Sequence, residues 1–234
     1  MRIQIADDES FSYRVERSAK RRTVSIQIDA GEVVVRAPKY TDDLWISGWV
    51  KTKAQWIYPR LVRQRDSIRE HQIEPESGEV RLYGEPFKLE YQHPVRAAQQ
   101  KIDTAEKIIR INGPVEDSSK LQAQLKKTLR LAAKPRLVEL TGHLAEKTGL
   151  YPSNVHVRDY KRKWGQCSST KEITLNWRLL HLPTTLQSYV IVHELCHLQE
   201  MNHSVHFWRL VEHHCPDFRP LREELKRCGA YLIW

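Results

Sequence analysis

The stretch H-E-L-C-H-L-Q-E-M-N-H, from His193 to His203, opens with H-E-x-x-H and adds a third histidine after five further residues. On a helix His193 and His197 lie one turn apart on one face. Two imidazoles so placed can bind one Zn²⁺, at roughly 2.0–2.1 Å each. Glu194 is turned about 100° round the same helix, poorly placed as a ligand but able to serve as a general base toward water. Three histidines leave one position of a tetrahedral metal open, as hydrolytic sites do. A chain with eleven histidines can match so short a pattern by chance, so the surroundings matter. The run Leu186-Gln-Ser-Tyr-Val-Ile-Val192 before the motif is apolar enough for a buried helix, predicted from about Thr184 to Met201. Thr184 and Gln187 have the spacing of a capping box at its start. Polar groups sunk into such a helix are costly unless they coordinate or pair. A turn at Met201-Asn202 would swing His203 back toward the other two.

Working outward, the chain of 234 residues is 40% hydrophobic and 29% charged, the composition of a soluble globular protein. No run approaches the roughly 18–20 apolar residues of a membrane span. The start, Met1-Arg-Ile-Gln-Ile-Ala-Asp-Asp, lacks the plan of a signal peptide, so a cytoplasmic location is expected. Cys167, Cys196, Cys215 and Cys228 form no C-x-x-C pair and are expected to be reduced and structural. The net charge of +9 favours acidic partners. Basic residues cluster at Arg17 to Arg22, at Arg60 to Arg69, and at Arg158 with Lys161-Arg162-Lys163. These clusters make DNA association a conceivable role, although no nucleic-acid-binding signature accompanies them.

Residues 1–116 read as a β-rich module with one long helix, and 117–234 as a second, catalytic domain, together an α+β plan. Strands are predicted at Thr23–Ile28, Glu32–Arg36, Val80–Tyr83, Phe87–Tyr91, Lys107–Ile111, Asn154–Arg158 and Glu172–Trp177. Thr41 or Asp42 caps a helix whose Leu44, Trp45, Val50, Trp56, Ile57 and Leu61 read as core anchors, with Pro59 as its kink. A second long helix starts at Ser118 or Ser119, kinks at Lys134-Pro135 and ends at Thr148-Gly149. Two more follow the motif, from Ser204 and from Leu221 to Cys228. Glu172–Trp177 is expected beside the metal helix, with a free edge on which an extended peptide could add as a strand.

With these residues in hand the chain resembles the YgjP-like metallopeptidases, zincins akin to the WLM and SprT-like proteases. Lys163-Trp-Gly-Gln-Cys-Ser-Ser169, Glu172-Ile-Thr-Leu-Asn-Trp-Arg-Leu179, Tyr189 to His197, Asn202-His-Ser204 and Phe207-Trp208 carry the likeness, with Arg21 to Ile26 and Val35 to Pro38 in front. The resemblance implies a zincin-like fold, zinc held by His193, His197 and His203, Glu194 as the catalytic residue, and a peptide or protein substrate. His206, His213 and His214 are alternative third ligands, and a downstream Glu212, Glu223 or Glu224 would suit a different ligand scheme. The expected chemistry is attack of a zinc-activated water on a peptide carbonyl, with Glu194 as general base. Tyr189, Arg178, Trp164 and His206 are possible donors to the developing oxyanion. Two rival functions are a non-proteolytic zinc hydrolase and a nucleic-acid-associated protein with a regulatory metal site.

Overall fold

The computed structural model describes residues 1–5, 9–29, 31–71, 78–92, 102–112, 117–160 and 163–228. It forms two compact units, Met1–His71 and Gln72–Trp234. The division therefore falls between His71 and Gln72, not after residue 116. The reason lies in the core. Val80, Leu82, Phe87, Ile109 and Ile111 share one buried apolar cluster with Leu125, Leu129, Leu186 and Ile191, so the strands expected in an N-terminal module belong with the motif helix.

In the first unit, β1 (Arg2–Gln4), β2 (Ser10–Ser18), β3 (Ser25–Asp29) and β4 (Glu32–Pro38) make a sheet of order β1-β2-β4-β3. β4 is parallel to β2 and antiparallel to β3. Val33, Val34, Val35 and Ala37 are all buried, so this strand is covered on both faces. Asp42 caps α1 (Asp43–Thr52) by accepting from the Trp45 N–H. The chain then breaks at Lys53, and α2 (Ala54–His71) carries Pro59 inside it. The apolar stripe nevertheless keeps its helical spacing across the break. Ile46, Val50, Ala54, Ile57 and Leu61 form the buried stripe, while Leu44, Trp45 and Trp56 are exposed. The two tryptophans are thus surface residues rather than core anchors: Trp45 stacks on Trp49, and Trp56 lies under Arg60.

The second unit holds two sheets. One has the order β5-β6-β8-β7, from Glu79–Leu82, Glu85–Gln92, Ile108–Asn112 and Ile102–Asp103. The other has the order β10-β11-β9, from Gly165–Cys167, Glu172–Asn176 and Asn154–Arg158. Between them in sequence runs α3 (Ser118–Thr148), capped by Asp117 and ended by Gly149 at φ 70°. Pro135 does not end it. Leu121, Leu125, Leu129, Ala133 and Leu137 recur every fourth residue as its buried face. A 3₁₀ turn (Trp177–His181), α4 (Thr184–Cys196), α5 (Val205–His214) and α6 (Phe218–Cys228) complete the unit. The α+β plan read from the sequence is the one observed. No helix among the described residues is long and apolar enough to cross a membrane.

The entry to α4 is pinned from the first of these sheets. Tyr83 and Gly84, with φ of 55° and 83°, make the tight turn between β5 and β6. Their N–H groups donate to the carbonyls of Leu180 and His181 at 2.7 and 3.3 Å. A side chain at position 84 would meet Pro183 at 2.8 Å, which together with the positive φ accounts for the glycine. Nδ1–H of His181 donates to the Arg81 carbonyl at 2.8 Å. Burial holds that imidazole neutral and pushes its pKa down to about 4. The capping box expected of Thr184 and Gln187 does not form. Pro183 is the cap and makes no side-chain bond, and the Gln187 amide donates to the Leu182 carbonyl at 2.8 Å.

Candidate metal and catalytic site

α4 ends at Cys196, one turn earlier than the sequence suggested, and His197 is its C-cap. Leu198 and Gln199 donate to Leu195 and Cys196 at 3.0 and 3.1 Å, a tightened 3₁₀-type turn. That turn redirects the chain through Met201 and Asn202. Ser204 then caps α5, its side chain accepting from the Phe207 N–H at 3.3 Å. The result brings His193, His197 and His203 together, with one ring nitrogen of each within 4.8 Å of the others. Nε2 of His193 and Nε2 of His203 are 3.1 Å apart. Two neutral imidazoles facing lone pair to lone pair at that distance repel unless a cation or proton lies between them. Two Zn–N bonds of about 2.05 Å at a tetrahedral angle place their nitrogens roughly 3.3 Å apart. The donor set therefore fits a divalent metal.

The surroundings support that role. Nδ1–H of His197 donates to the Glu200 carbonyl at 2.9 Å, which leaves its Nε2 lone pair free to take a metal. Burial, then the neighbouring His197 and His203 rings and Arg222, push His193 down to about 3. Burial lowers His197 as well, against the pull of its bond to Glu200. Both rings are thus neutral, the form in which a metal takes them. The fully buried Phe207 is packed against all three, its centroid 4.9, 4.4 and 4.8 Å from those of His193, His197 and His203. Trp208 stacks on His203 at 5.6 Å, and Arg222 covers Trp208 at 4.3 Å.

Glu194 is only 6% exposed. Burial pushes its carboxyl up to about 8, opposed by the charge of Lys163. It rests on the backbone of β10: a side chain at Gly165 would meet Glu194 Cγ and Oε1 at 2.8 Å. Asn176 holds the approach to that strand. Its side-chain amide donates to the Tyr160 and Lys163 carbonyls, both at 2.9 Å, and its N–H donates to the Trp164 carbonyl at 2.7 Å.

Other sequence expectations fare differently. β11 lies between β10 and β9, so Glu172–Asn176 has no free edge, and β10 is the edge strand nearer the motif. Gly165 at one end of the pairing with β11 and Cys167 at the other leave room for only three residues, a strand too short for alternation to show. His206, offered as an alternative third ligand and an oxyanion donor, is exposed on α5. Arg178 is bonded to Asp159 instead. Burial raises the Asp159 carboxyl, but the bond and charge of Arg178, with Lys126, hold it at about 2. Tyr189 is buried with its ring centroid 6.2 Å from that of His193. All four cysteines are free thiols, and burial and Glu194 raise the pKa of Cys167, against a nucleophilic role. The first two basic clusters lie in the first unit and Arg158 in the second, while Lys161 and Arg162 fall outside the described residues.

Phe207, Trp208 and Gly165 are the residues whose work at the site was not read from sequence. A lone glycine within a strand signals close backbone approach, but the three-residue β10 is too short to be recognised as a strand, so Gly165 gave no such signal.

The site is thus a three-histidine cluster on an α+β frame, with His197 buried, His193 half-buried and His203 exposed. A family model described as "YgjP-like, metallopeptidase domain" matches residues 22–228, and the chain belongs to that family. Membership implies a divalent metal and a peptide or protein substrate. Two solved structures are similar to part of the chain. The metallopeptidase zymogen abylysin of Pyrococcus abyssi is 28% identical, over 38% of this chain and 90% of its own, with a TM-score of 0.35. The metallopeptidase zymogen jannalysin of Methanocaldococcus jannaschii is 20% identical, over 38% of this chain and 97% of its own, with a TM-score of 0.32. No curated protein sequence matches.

Proposed function

We propose that this protein is a zinc-dependent peptidase in which His193, His197 and His203 hold the metal and Glu194 is the general base. The observation that carries the reading is the convergence of three ring nitrogens within 4.8 Å, next in sequence to a carboxylate buried against Gly165. Zinc bound there supplies Lewis acidity, polarising a carbonyl and acidifying water. Glu194 accepts a proton from the attacking water at a carboxylate oxygen and delivers it to the leaving amine nitrogen. Burial favours this, since a carboxyl raised toward neutral pH is a stronger acceptor than an exposed one. The metal's positive charge acts in the opposite sense and keeps the carboxylate ionised before the reaction.

The substrate is proposed to lie along β10. Trp164 and Ser168 bond inward to β11, through the Asn176 N–H and the Glu172 carbonyl. By alternation the backbone groups of Gly165 and Cys167 face outward, available to an added peptide strand. Gly165 is also the residue touching Glu194, so such a strand would run past the base.

The test is digestion of an unstructured protein by the zinc-loaded enzyme and by Glu194→Gln. The amide cannot accept a proton, so cleavage should fall about 10²–10⁴-fold while zinc and fold are retained. An undiminished rate would remove Glu194 from the mechanism.

A further inference from the structure

At the β9 edge of the β10-β11-β9 sheet, the edge opposite β10, lies a cavity of about 570 Å³ between α3 and β9. Its walls are basic: Lys126, Lys127, Arg130 and Lys134 from α3, and Arg158 from β9. Its floor is apolar, from Pro135, Val157 and Trp177. Asp159 answers two of these cations, Lys126 and Arg130, at 3.3 and 3.8 Å, and is already bonded to Arg178. Lys127, Lys134 and Arg158 have no acidic partner among the described residues. Leu131 is 63% exposed at the mouth. Like charges gathered over an apolar floor are unfavourable alone and fit an anionic ligand that carries aliphatic groups.

We propose that this groove binds an acidic, aliphatic-rich segment of a polypeptide; its description as a substrate site rests on the peptidase reading, whereas the binding does not. Lys126 to Lys134 spans eight residues of helix, about 12 Å, the length of roughly four residues of extended chain. In an extended segment alternate side chains point to opposite faces, so carboxylates can meet the cations of α3 while aliphatic groups reach Val157 on β9. Nucleic acid fits less well. Single strands are held by stacking on open aromatic faces, and the only ring in the lining, Trp177, is 1% exposed. The position suits a second substrate contact. Val157 is level with Leu175, and Leu175 with Gly165, so groove and base lie on one row of the sheet. Two strand spacings, about 10 Å, separate them.

The experiment is fluorescence anisotropy on the full chain with a labelled eight-residue peptide of alternating Glu and Leu. Its Gln/Leu analogue and a single-stranded oligonucleotide of equal charge serve as comparisons. Binding of the acidic peptide should be saturable, weaken with salt, and be at least about ten-fold tighter than that of the Gln analogue. Lys127→Glu with Lys134→Glu, checked for fold by circular dichroism, should weaken it by a similar factor, and Glu194→Gln should not. Equal binding of the Gln analogue, which needs no variant, overturns the proposal. So does tighter binding of the oligonucleotide, or full affinity in the folded double variant. Binding with these preferences in a protein that cleaves no polypeptide would uphold the groove and sink the peptidase reading alone.

Discussion

Gly165→Ala is the substitution that most sharply tests how the base is held. The added methyl would lie 2.8 Å from Glu194 Cγ and Oε1 and 3.0 Å from Cδ. Ordinary contacts between heavy atoms are roughly 3.5–4.0 Å, so the carboxylate must retreat by about 0.7 Å or more. Gly165 lies in β10 and not among the residues with positive φ, so alanine meets no backbone strain there. Filling a packed site typically costs about 1–3 kcal/mol, and replacing glycine in extended chain returns about 0.4–1 kcal/mol. The net loss of stability is therefore less than about 3 kcal/mol, and the metal should remain. Catalysis is more sensitive, because a displacement near 1 Å costs about 10² in rate. The expected result is kcat/KM about 10²-fold below wild type, with equal zinc content and a cooperative melt. The double variant Gly165→Ala with Glu194→Gln distinguishes the cause. If the glycine acts only through Glu194, the double variant is no slower than Glu194→Gln alone. A Gly165→Ala enzyme with full kcat/KM, or a further 10²-fold loss in the double variant, would refute the idea that this strand seats the base.

His203→Ala should lose zinc, measured by metal analysis of the purified protein, while His206→Ala keeps it; the reverse pattern would show that the third ligand was wrongly assigned. Phe207→Ala removes the ring packed on all three imidazoles, and loss of so buried an aromatic side chain costs about 3–5 kcal/mol. Denaturant unfolding should show that loss together with weaker zinc binding, and a loss below 1 kcal/mol would deny Phe207 its packing role. His181 gives a pH test away from the metal. Its folded-state pKa of about 4 lies below the usual 6.5, so its contribution is present above pH 6.5 and lost as pH falls toward 4, on the order of 3 kcal/mol in all. His181→Asn should flatten the acid side of the stability profile in that window, and an unchanged slope would show that His181 is not the titrating group.

What could be read from sequence, and what could not, divides along a physical line. The histidine cluster was legible because a helix fixes its own periodicity, so the spacing of His193 and His197 states their geometry before any tertiary contact is known. His203 was legible in spacing but not in cause. Its return depends on the 3₁₀ turn after Cys196, on the Ser204 cap and on Phe207, none of which a pattern of histidines contains. The seven-residue β4, with three consecutive valines, was visible as a strand for the same reason that α4 was visible as a helix. The three-residue β10 was not, and so the free edge of the sheet was assigned one strand too far in. The division of the chain failed for a third reason. Turn residues at 112–114 mark a local change of direction, whereas a domain boundary is set by which side chains share a core. Ile109 and Ile111, just before that turn, are buried with the helix that carries the histidines. A side chain's neighbours across the core are the one quantity that local propensity leaves out. Glu194 shows the consequence at the site itself: its motif names it as a base, but only the glycine on a neighbouring strand shows how it is seated.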